Sequence, residues 1–114
     1  SDQINVPIVL LVNENTASAA ELFCSALQDY DKAVIVGTQT YGKGSMQTIR
    51  RLSDGSGLSV TYRYYCPPFS DNYDGVGIKP DVKAELSKEA LSHFYTLTDA
   101  EDTQLQAAVE ELNK

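Results

Sequence analysis

An apolar run, a polar turn, a helical pattern and a second apolar run limit the folds open to this chain. Val6 to Val12 is apolar throughout except for Pro7, which suits a buried strand. We expect a helix from about Ala17 to Tyr30 and a second short strand from Ala33 to Val36. Strand, helix and strand over this distance form one βαβ unit, so the two strands should be parallel.

The apolar residues of the predicted helix recur at helical spacing, which places them on one face. They are Ala19, Leu22, Phe23, Ala26, Leu27 and Tyr30.

The middle of the chain predicts a β-hairpin. Gly37 to Gly44 is a loop rich in glycine and hydroxyl residues, and Met46 to Leu52 suits a strand. A turn rich in serine and glycine follows, and apolar and polar residues then alternate from Leu58 to Tyr65. We expect one face of this hairpin to be buried and the other to face solvent.

The last third predicts a loop and two helices. Phe69 to Asp81 is punctuated by aspartate, glycine and proline, as loops are. A short helix is expected from Ser87 to Tyr95. Thr98 and Glu101 match a capping box at the start of a final helix. Residues 1–114 therefore predict a single α/β domain, or a piece of one.

Charge and cysteine content exclude some classes of partner. The net charge of −7 argues against nucleic acid or an anionic membrane, since both require a basic surface. The two cysteines, Cys24 and Cys66, lack metal-ligand spacing, and whether they pair is open. We therefore expect no metal and no cofactor.

No apolar run approaches membrane-spanning length, and no signal peptide is visible.

Ser18 lies at the predicted corner between strand and helix. The first N–H groups of a helix have no internal partner there, so a serine at this corner lies beside positive dipole ends. Such a position suits a nucleophile that attacks a carbonyl group. The structural alternative is a capping box formed by Ser18 and Glu21, and the two interpretations are compatible.

Lys43 lies between two glycines, where a surface lysine in a turn is the commonest case, and it also has two functional interpretations. The spacing from Gly37 to Lys43 matches a phosphate-binding loop, but Gly44 stands where that loop requires serine or threonine. A strand, not a helix, also follows. As a general base, a lysine requires an environment that lowers its pKa well below about 10.4. Gln47 could then orient the amine, and His93 is interpreted as a helix-face residue.

Several linked motifs resemble the C-terminal-processing (tail-specific) serine protease family. They are Asn13 to Glu21, Gly37, Thr40 to Gln47, Asp54 to Ser56, Tyr64 to Pro67, Gly77 to Asp81 and Asp102 to Gln106. Tyr41, Met46 and Cys66 differ from the residues usual in that family, and none of the three belongs to the predicted site.

The resemblance implies a fold, a site and an activity. The fold would be α/β, a ClpP/crotonase-like core fragment with a βαβ unit followed by a β-hairpin and a C-terminal helix. Ser18 would be the nucleophile, Lys43 the general base and Gln47 the residue that orients Lys43. Ala19 would supply a backbone N–H to the oxyanion hole.

The same resemblance implies partners and a compartment. The parent protein would be an endopeptidase that cleaves protein or peptide substrates near unstructured C-termini, without a cofactor and without nucleic acid. It would act outside the bacterial cytoplasm, in the periplasm or cell envelope, or in the chloroplast lumen. Membrane association of the parent and assembly into a homo-oligomer are left open.

Relatives in this family carry a PDZ domain and upstream strands that are absent here, so residues 1–114 are expected to be the C-terminal part of a catalytic domain. The upstream strands supply a second oxyanion donor, and loss of one donor typically slows turnover by about two to three orders of magnitude. We therefore expect the isolated chain to be weakly active or inactive. The alternative is a non-catalytic ligand- or protein-binding module on the same fold, and acyl-thioester chemistry ranks lower because it uses no serine–lysine pair.

Overall fold

A small parallel sheet, three helices and a projecting hairpin make up the computed structural model, which describes residues 5–114. In chain order the elements are β1 (Val9–Val12), α1 (Ala19–Asp29), β2 (Val34–Gly37), β3 (Ser45–Arg51), β4 (Gly57–Tyr64), β5 (Val82–Lys83), α2 (Lys88–Ser92), a 3₁₀ turn (Phe94–Thr96) and α3 (Thr103–Leu112).

The predicted βαβ unit is present. Strands β1 and β2 pair in parallel, with Leu10 opposite Ile35, and α1 connects them. Ile35 and Val36 are fully buried. Ile35 belongs to an apolar core with Val12, Cys24, Tyr73 and Ile78. α3 packs against β1 and β2.

A third strand, β5, was not predicted. It pairs in parallel with β2, so the strand order is β1-β2-β5. Asp81 holds β5 beside β2. The Asp81 N–H donates to the Ile35 carbonyl, and the Asp81 carboxylate accepts from the Ile35 N–H, both at 2.8 Å. Gln28 of α1 donates to the same carboxylate at 2.8 Å. A polar side chain thus joins the helix, the sheet and the end of the loop.

Helix α1 buries its polar side. Glu21, Cys24 and Ser25 are its buried residues, whereas Phe23 and Tyr30 on the apolar side are exposed. Hydrophobic spacing therefore identified the helix correctly but did not mark the side that packs against the sheet.

The β3–β4 hairpin forms as predicted, but the expected buried face is wrong. Every residue of β4 is exposed, and the molecule measures 57 × 42 × 25 Å because the hairpin extends away from the sheet. A β-bulge between Met46 and Gln47 lies at its base. A bulge adds local twist and redirects the strand.

The C-terminal helices begin and end at other residues than predicted. Glu101 accepts from the N–H and hydroxyl of Thr98, yet the final helix starts at Thr103. Asp102 is its N-cap and accepts from two N–H groups, and a carboxylate is a favoured N-cap acceptor. His93 follows α2 and separates it from the 3₁₀ turn, so it is not a helix-face residue.

No helix within residues 5–114 combines the length and apolar character that crossing a bilayer requires.

The loop that contains residues 40–44 crosses the loop that contains residues 74–78, and their backbones are in direct contact. The Gly42 carbonyl accepts from the Gly75 N–H at 2.8 Å, and the Thr40 carbonyl faces Gly77. A Cβ on Gly77 would lie 2.2 Å from the Thr40 carbonyl oxygen, and Gly77 has a φ of +83°. Only glycine fits this crossing, which holds the loop that carries Lys43.

Replacing Gly77 with alanine should therefore destabilise the chain by about 3 kcal/mol or more, because the clash adds to the left-handed backbone penalty. Gly75→Ala is the matched control, since Gly75 has a φ of +75° but open space around it. We expect that control to cost about 1 kcal/mol. Urea unfolding of both variants measures the difference, and equal losses would contradict the crossing.

Candidate active site

Ser18 lies in a strained turn at the start of α1. Its backbone angles are φ 57° and ψ −119°, the conformation of the first central residue of a type II′ turn. The Ala20 N–H donates to the Ala17 carbonyl at 3.2 Å and closes that turn. Glycine is the usual residue in such a conformation, and backbone strain in a non-glycine residue is typical of functional sites.

The predicted capping-box arrangement of Ser18 and Glu21 is present at the start of α1. Glu21 accepts from the Ser18 N–H at 2.9 Å, and the Ser18 side chain faces the Glu21 N–H without forming a close cap hydrogen bond.

The Glu21 carboxylate joins the helix start to the glycine loop. Its side chain is fully buried. Oε2 accepts from the backbone N–H groups of Ser18 and Lys43, at 2.9 and 2.8 Å. Oε1 accepts from the Gly42 N–H at 2.7 Å and from the Thr40 hydroxyl. Because Ser18 and Lys43 share one oxygen atom, their backbone nitrogens lie at most two hydrogen-bond lengths apart.

Thr40 extends this connection to a third segment. Its hydroxyl donates to Glu21 and accepts from the Ile78 N–H at 2.7 Å. Its own N–H donates to the Ile78 carbonyl at 3.1 Å. The helix start, the glycine loop and the segment before β5 are thus held together by one buried network.

The three predicted catalytic side chains line one cleft of about 240 Å³. Its lining residues are Ser18, Lys43, Ser45, Met46, Gln47 and Tyr65. Within the part of the chain that the structure describes, no hydrogen bond joins Ser18 Oγ to Lys43 Nζ. The two side chains line the same cleft.

Gln47 and Ala19 each offer a polar group to the cleft region. The Gln47 amide nitrogen donates to Thr61 Oγ1 at 3.5 Å, so its carbonyl oxygen is left to accept from an amine. The Ala19 N–H, at the first position of α1, donates to no acceptor within residues 5–114. An N–H without a partner at a helix start is suited to bind an oxyanion.

Tyr73 is a neighbour that the sequence analysis missed. Its hydroxyl donates to the Ser18 carbonyl at 3.5 Å, and its ring stacks on Tyr65 with the centroids 6.3 Å apart. Burial, followed by the nearby negative charge of Glu21, raises the pKa of Tyr73 to about 12. Tyr73 therefore stays neutral, and its hydroxyl contacts the turn that contains Ser18.

Other candidates lie elsewhere. His93 is 3.8 Å from Glu101 and does not line the cleft. Cys24 is buried in the core, Cys66 is exposed, and both are free thiols. Within residues 5–114, no cluster of histidine, cysteine and carboxylate side chains could hold a metal ion.

Comparison with known proteins identifies the family. The model of peptidase family S41 matches residues 1–84. The chain belongs to peptidase family S41. The βαβ unit, the strained serine corner and the glycine loop described above all fall within the matched part.

Relatives of this S41 chain are processing proteases. A carboxyl-terminal-processing protease of Synechocystis is 42% identical over 91% of this chain and 24% of its own length. Carboxyl-terminal-processing peptidase 3, chloroplastic, of Arabidopsis thaliana is 49% identical over 68% of this chain and 15% of its own length. The structure of a photosystem II D1 C-terminal processing protease superposes with a TM-score of 0.69 at 38% identity, covering 88% of this chain and 27% of that one. The S41 chain thus spans about a quarter or less of these relatives, and the likeness confirms its predicted fold class.

Glu21→Gln should weaken the S41 fold. An amide nitrogen cannot accept, so one or more of the four donors around position 21 would lose its partner, which costs about 1–3 kcal/mol when buried. Glu14→Gln is the matched control, because Glu14 is exposed and, among residues 5–114, accepts a single hydrogen bond, from Thr38 at 3.2 Å. Thermal unfolding measures both, and a loss at position 21 no larger than at position 14 would contradict the role of the network.

Tyr73 should make the S41 chain sensitive to alkali. The pKa of this phenol is 10.0 ordinarily and about 12 in the folded chain, so the folded state retains its proton to higher pH. Its stabilising contribution is complete below pH 10 and is lost as the pH rises toward 12, by up to about 1.4 kcal/mol for each pH unit. Tyr73→Phe should flatten the pH dependence of urea unfolding in this range. Tyr95→Phe, at a side chain that is 98% exposed, should leave it unchanged.

Proposed function

We propose that the parent protein is a serine endopeptidase in which Ser18 and Lys43 form a catalytic dyad. The observation that carries this proposal is the shared Glu21 oxygen, which sets the backbones of Ser18 and Lys43 side by side at one cleft. Membership of family S41 supports it.

The chemistry follows from the positions of these groups. Ser18 Oγ attacks the carbonyl carbon of the scissile peptide as Lys43 Nζ, neutral at that moment, removes the hydroxyl proton. The Ala19 N–H donates to the oxyanion of the tetrahedral intermediate. Lys43 then gives its proton to the departing amine, which leaves an ester on Ser18. Water, activated by the same amine, hydrolyses that ester.

Gln47 is proposed to position the base. Its carbonyl oxygen can accept from Lys43 Nζ while its amide nitrogen remains with Thr61. We expect Ser18 Oγ and Lys43 Nζ, which line one cleft, to form a hydrogen bond when a peptide fills that cleft.

Substrates, compartment and assembly are also proposals. The printed names of the relatives support cleavage near the C-termini of proteins, and these relatives include bacterial and chloroplastic enzymes. We infer that the parent protein acts outside the bacterial cytoplasm or in a comparable lumen. Weak activity of the 114-residue chain alone and a homo-oligomeric parent remain predictions.

In the parent protein, Ser18→Ala or Lys43→Ala should lower kcat for a protein with an apolar, unstructured tail by at least about 10³-fold. Gln47→Ala should lower it less, because it removes a positioning group and not a reacting one. Mass spectrometry of the products over time measures all three.

Ser53→Ala and Lys88→Ala are the controls, since both positions are exposed and lie outside the cleft. Full activity in the Ser18 or Lys43 variant would refute the dyad. Ligand-dependent thermal stabilisation without cleavage by the unaltered protein would instead support the binding-module alternative.

A further inference from the structure

The backbone on the two sides of Lys43 is held by different parts of the chain. On the N-terminal side, the buried Glu21 carboxylate accepts from the N–H groups of Gly42 and Lys43. On the C-terminal side, Gly44 is buried and is bonded to two side chains from residues 72–74. Lys43 thus lies between two separate attachments, and the Glu21 network accounts for only the first.

The second attachment holds both peptide groups of Gly44. The Asp74 carboxylate accepts from the Gly44 N–H at 2.9 Å. The Asn72 amide donates to the Gly44 carbonyl at 3.1 Å and to the Tyr65 carbonyl at 2.6 Å. The Tyr65 N–H donates to the same Gly44 carbonyl at 2.8 Å. Because the Gly44 N–H lies in one peptide plane with the Lys43 carbonyl, the bond to Asp74 fixes the orientation of the backbone at Lys43.

Asn72 and Asp74 also restrain each other and lie against the glycine loop. The Asp74 N–H donates to the Asn72 side-chain carbonyl at 2.8 Å, which is the hydrogen bond of an Asx turn. A Cβ on Gly44 would lie 2.7 Å from the Asp74 nitrogen and 3.1 Å from Asn72 Nδ2. The two segments are therefore in such close contact that a displacement of residues 72–74 would displace the backbone at Lys43.

The link from Asp74 to Lys43 runs through the backbone and not through an ion pair. Within residues 5–114, the ion pairs are formed by Lys83, His93 and Lys114, and Lys43 takes part in none of them. Asp74 contacts a backbone N–H instead, and an uncharged side-chain oxygen can accept from that group equally well. Asparagine at position 74 would therefore retain the contact, whereas alanine would lose it.

We propose that Asp74 and Asn72 are positioning residues for Lys43, which direct its amine toward Ser18 by holding Gly44. A general base acts only when it lies within hydrogen-bond reach of the proton that it removes, and a displacement of about 1 Å can slow catalysis by about a hundredfold. This inference rests on the proposed function and adds to it two residues that act through Lys43.

Kinetics of the parent protein test the proposal, with the products of an apolar, unstructured tail followed by mass spectrometry. Asp74→Ala should lower kcat by about ten- to a hundredfold and leave KM within about twofold, because Asp74 holds the glycine loop and is not among the residues that line the cleft. Asp74→Asn should retain kcat within about threefold, since its side-chain oxygen can accept from the Gly44 N–H.

Asn72→Asp is the complementary change. A carboxylate cannot donate, so the carbonyls of Gly44 and Tyr65 would lose this partner and face a negative charge instead. We expect kcat to fall by about tenfold or more. Loss in Asn72→Asp together with retention in Asp74→Asn would match the direction of each hydrogen bond.

Asp29→Ala is the matched control for a purely structural contribution. The Asp29 carboxylate accepts from the N–H groups of Phe69 and Ser70 at 2.8 and 3.0 Å, so it anchors the same loop at a point away from Gly44. Its loss should lower the melting temperature of the parent protein, as Asp74→Ala does, but leave kcat within about twofold. Thermal unfolding of each variant measures the first effect, and the cleavage assay measures the second.

Unchanged kcat in Asp74→Ala, or an equal loss in Asp29→Ala, would overturn the proposal. A loss in Asp74→Asn as large as in Asp74→Ala would also overturn it, because the charge and not the acceptor would then matter. Where Asp74→Ala is too unstable to purify, Asn72→Asp takes its place against the same control. Full activity in Ser18→Ala or Lys43→Ala would refute the dyad itself, whereas loss in both with unchanged kcat in Asp74→Ala would refute only the positioning role.

Discussion

One buried carboxylate holds the candidate site together. Glu21 comes from the first turn of α1, yet its four hydrogen bonds reach both the helix start and the glycine loop. Burying a charge is expensive unless it is fully hydrogen-bonded, and these donors meet that requirement. The same bonds that compensate the burial of Glu21 also fix the relative positions of Ser18 and Lys43. Stability and site geometry therefore depend on one side chain.

The glycine loop depends in turn on contact between backbones. Gly42 and Gly77 lie where a side chain would collide with the opposing main chain. Thr40 adds a polar link between the same two segments. The loop that carries Lys43 is consequently held from two sides, by Glu21 and by the segment that leads into β5.

Local sequence patterns predicted the elements whose formation depends mainly on residues close together in the chain. The βαβ unit and the hairpin follow from apolar runs, helical spacing and a serine–glycine turn, and both are present. The serine at the corner and the lysine between glycines were singled out by position and then by the family resemblance, and both line one cleft. β5 was missed because it is two residues long and is defined by the Asp81 contacts with a distant strand. The role of Glu21 was only half visible, since a capping box accounts for its bond to Ser18 but not for its bonds to residues 40–43.

Burial was harder to predict than secondary structure. The apolar side of α1 and the alternating residues of β4 both suggested faces that pack, but Phe23 and Tyr62 are exposed. Periodicity reports which residues share a face, whereas what covers that face depends on the whole arrangement. The start of α3 was misplaced for a related reason: Thr98 and Glu101 form their contacts in a turn that does not continue as a helix.

The backbone of Ser18 has a consequence for the evolution of this corner. A residue with a side chain is strained at φ 57° and ψ −119°, whereas glycine is not. Mutation to glycine would thus relax the fold and at the same time remove the hydroxyl. If Ser18 is the nucleophile that we propose, stability favours glycine at this position and the reaction requires serine.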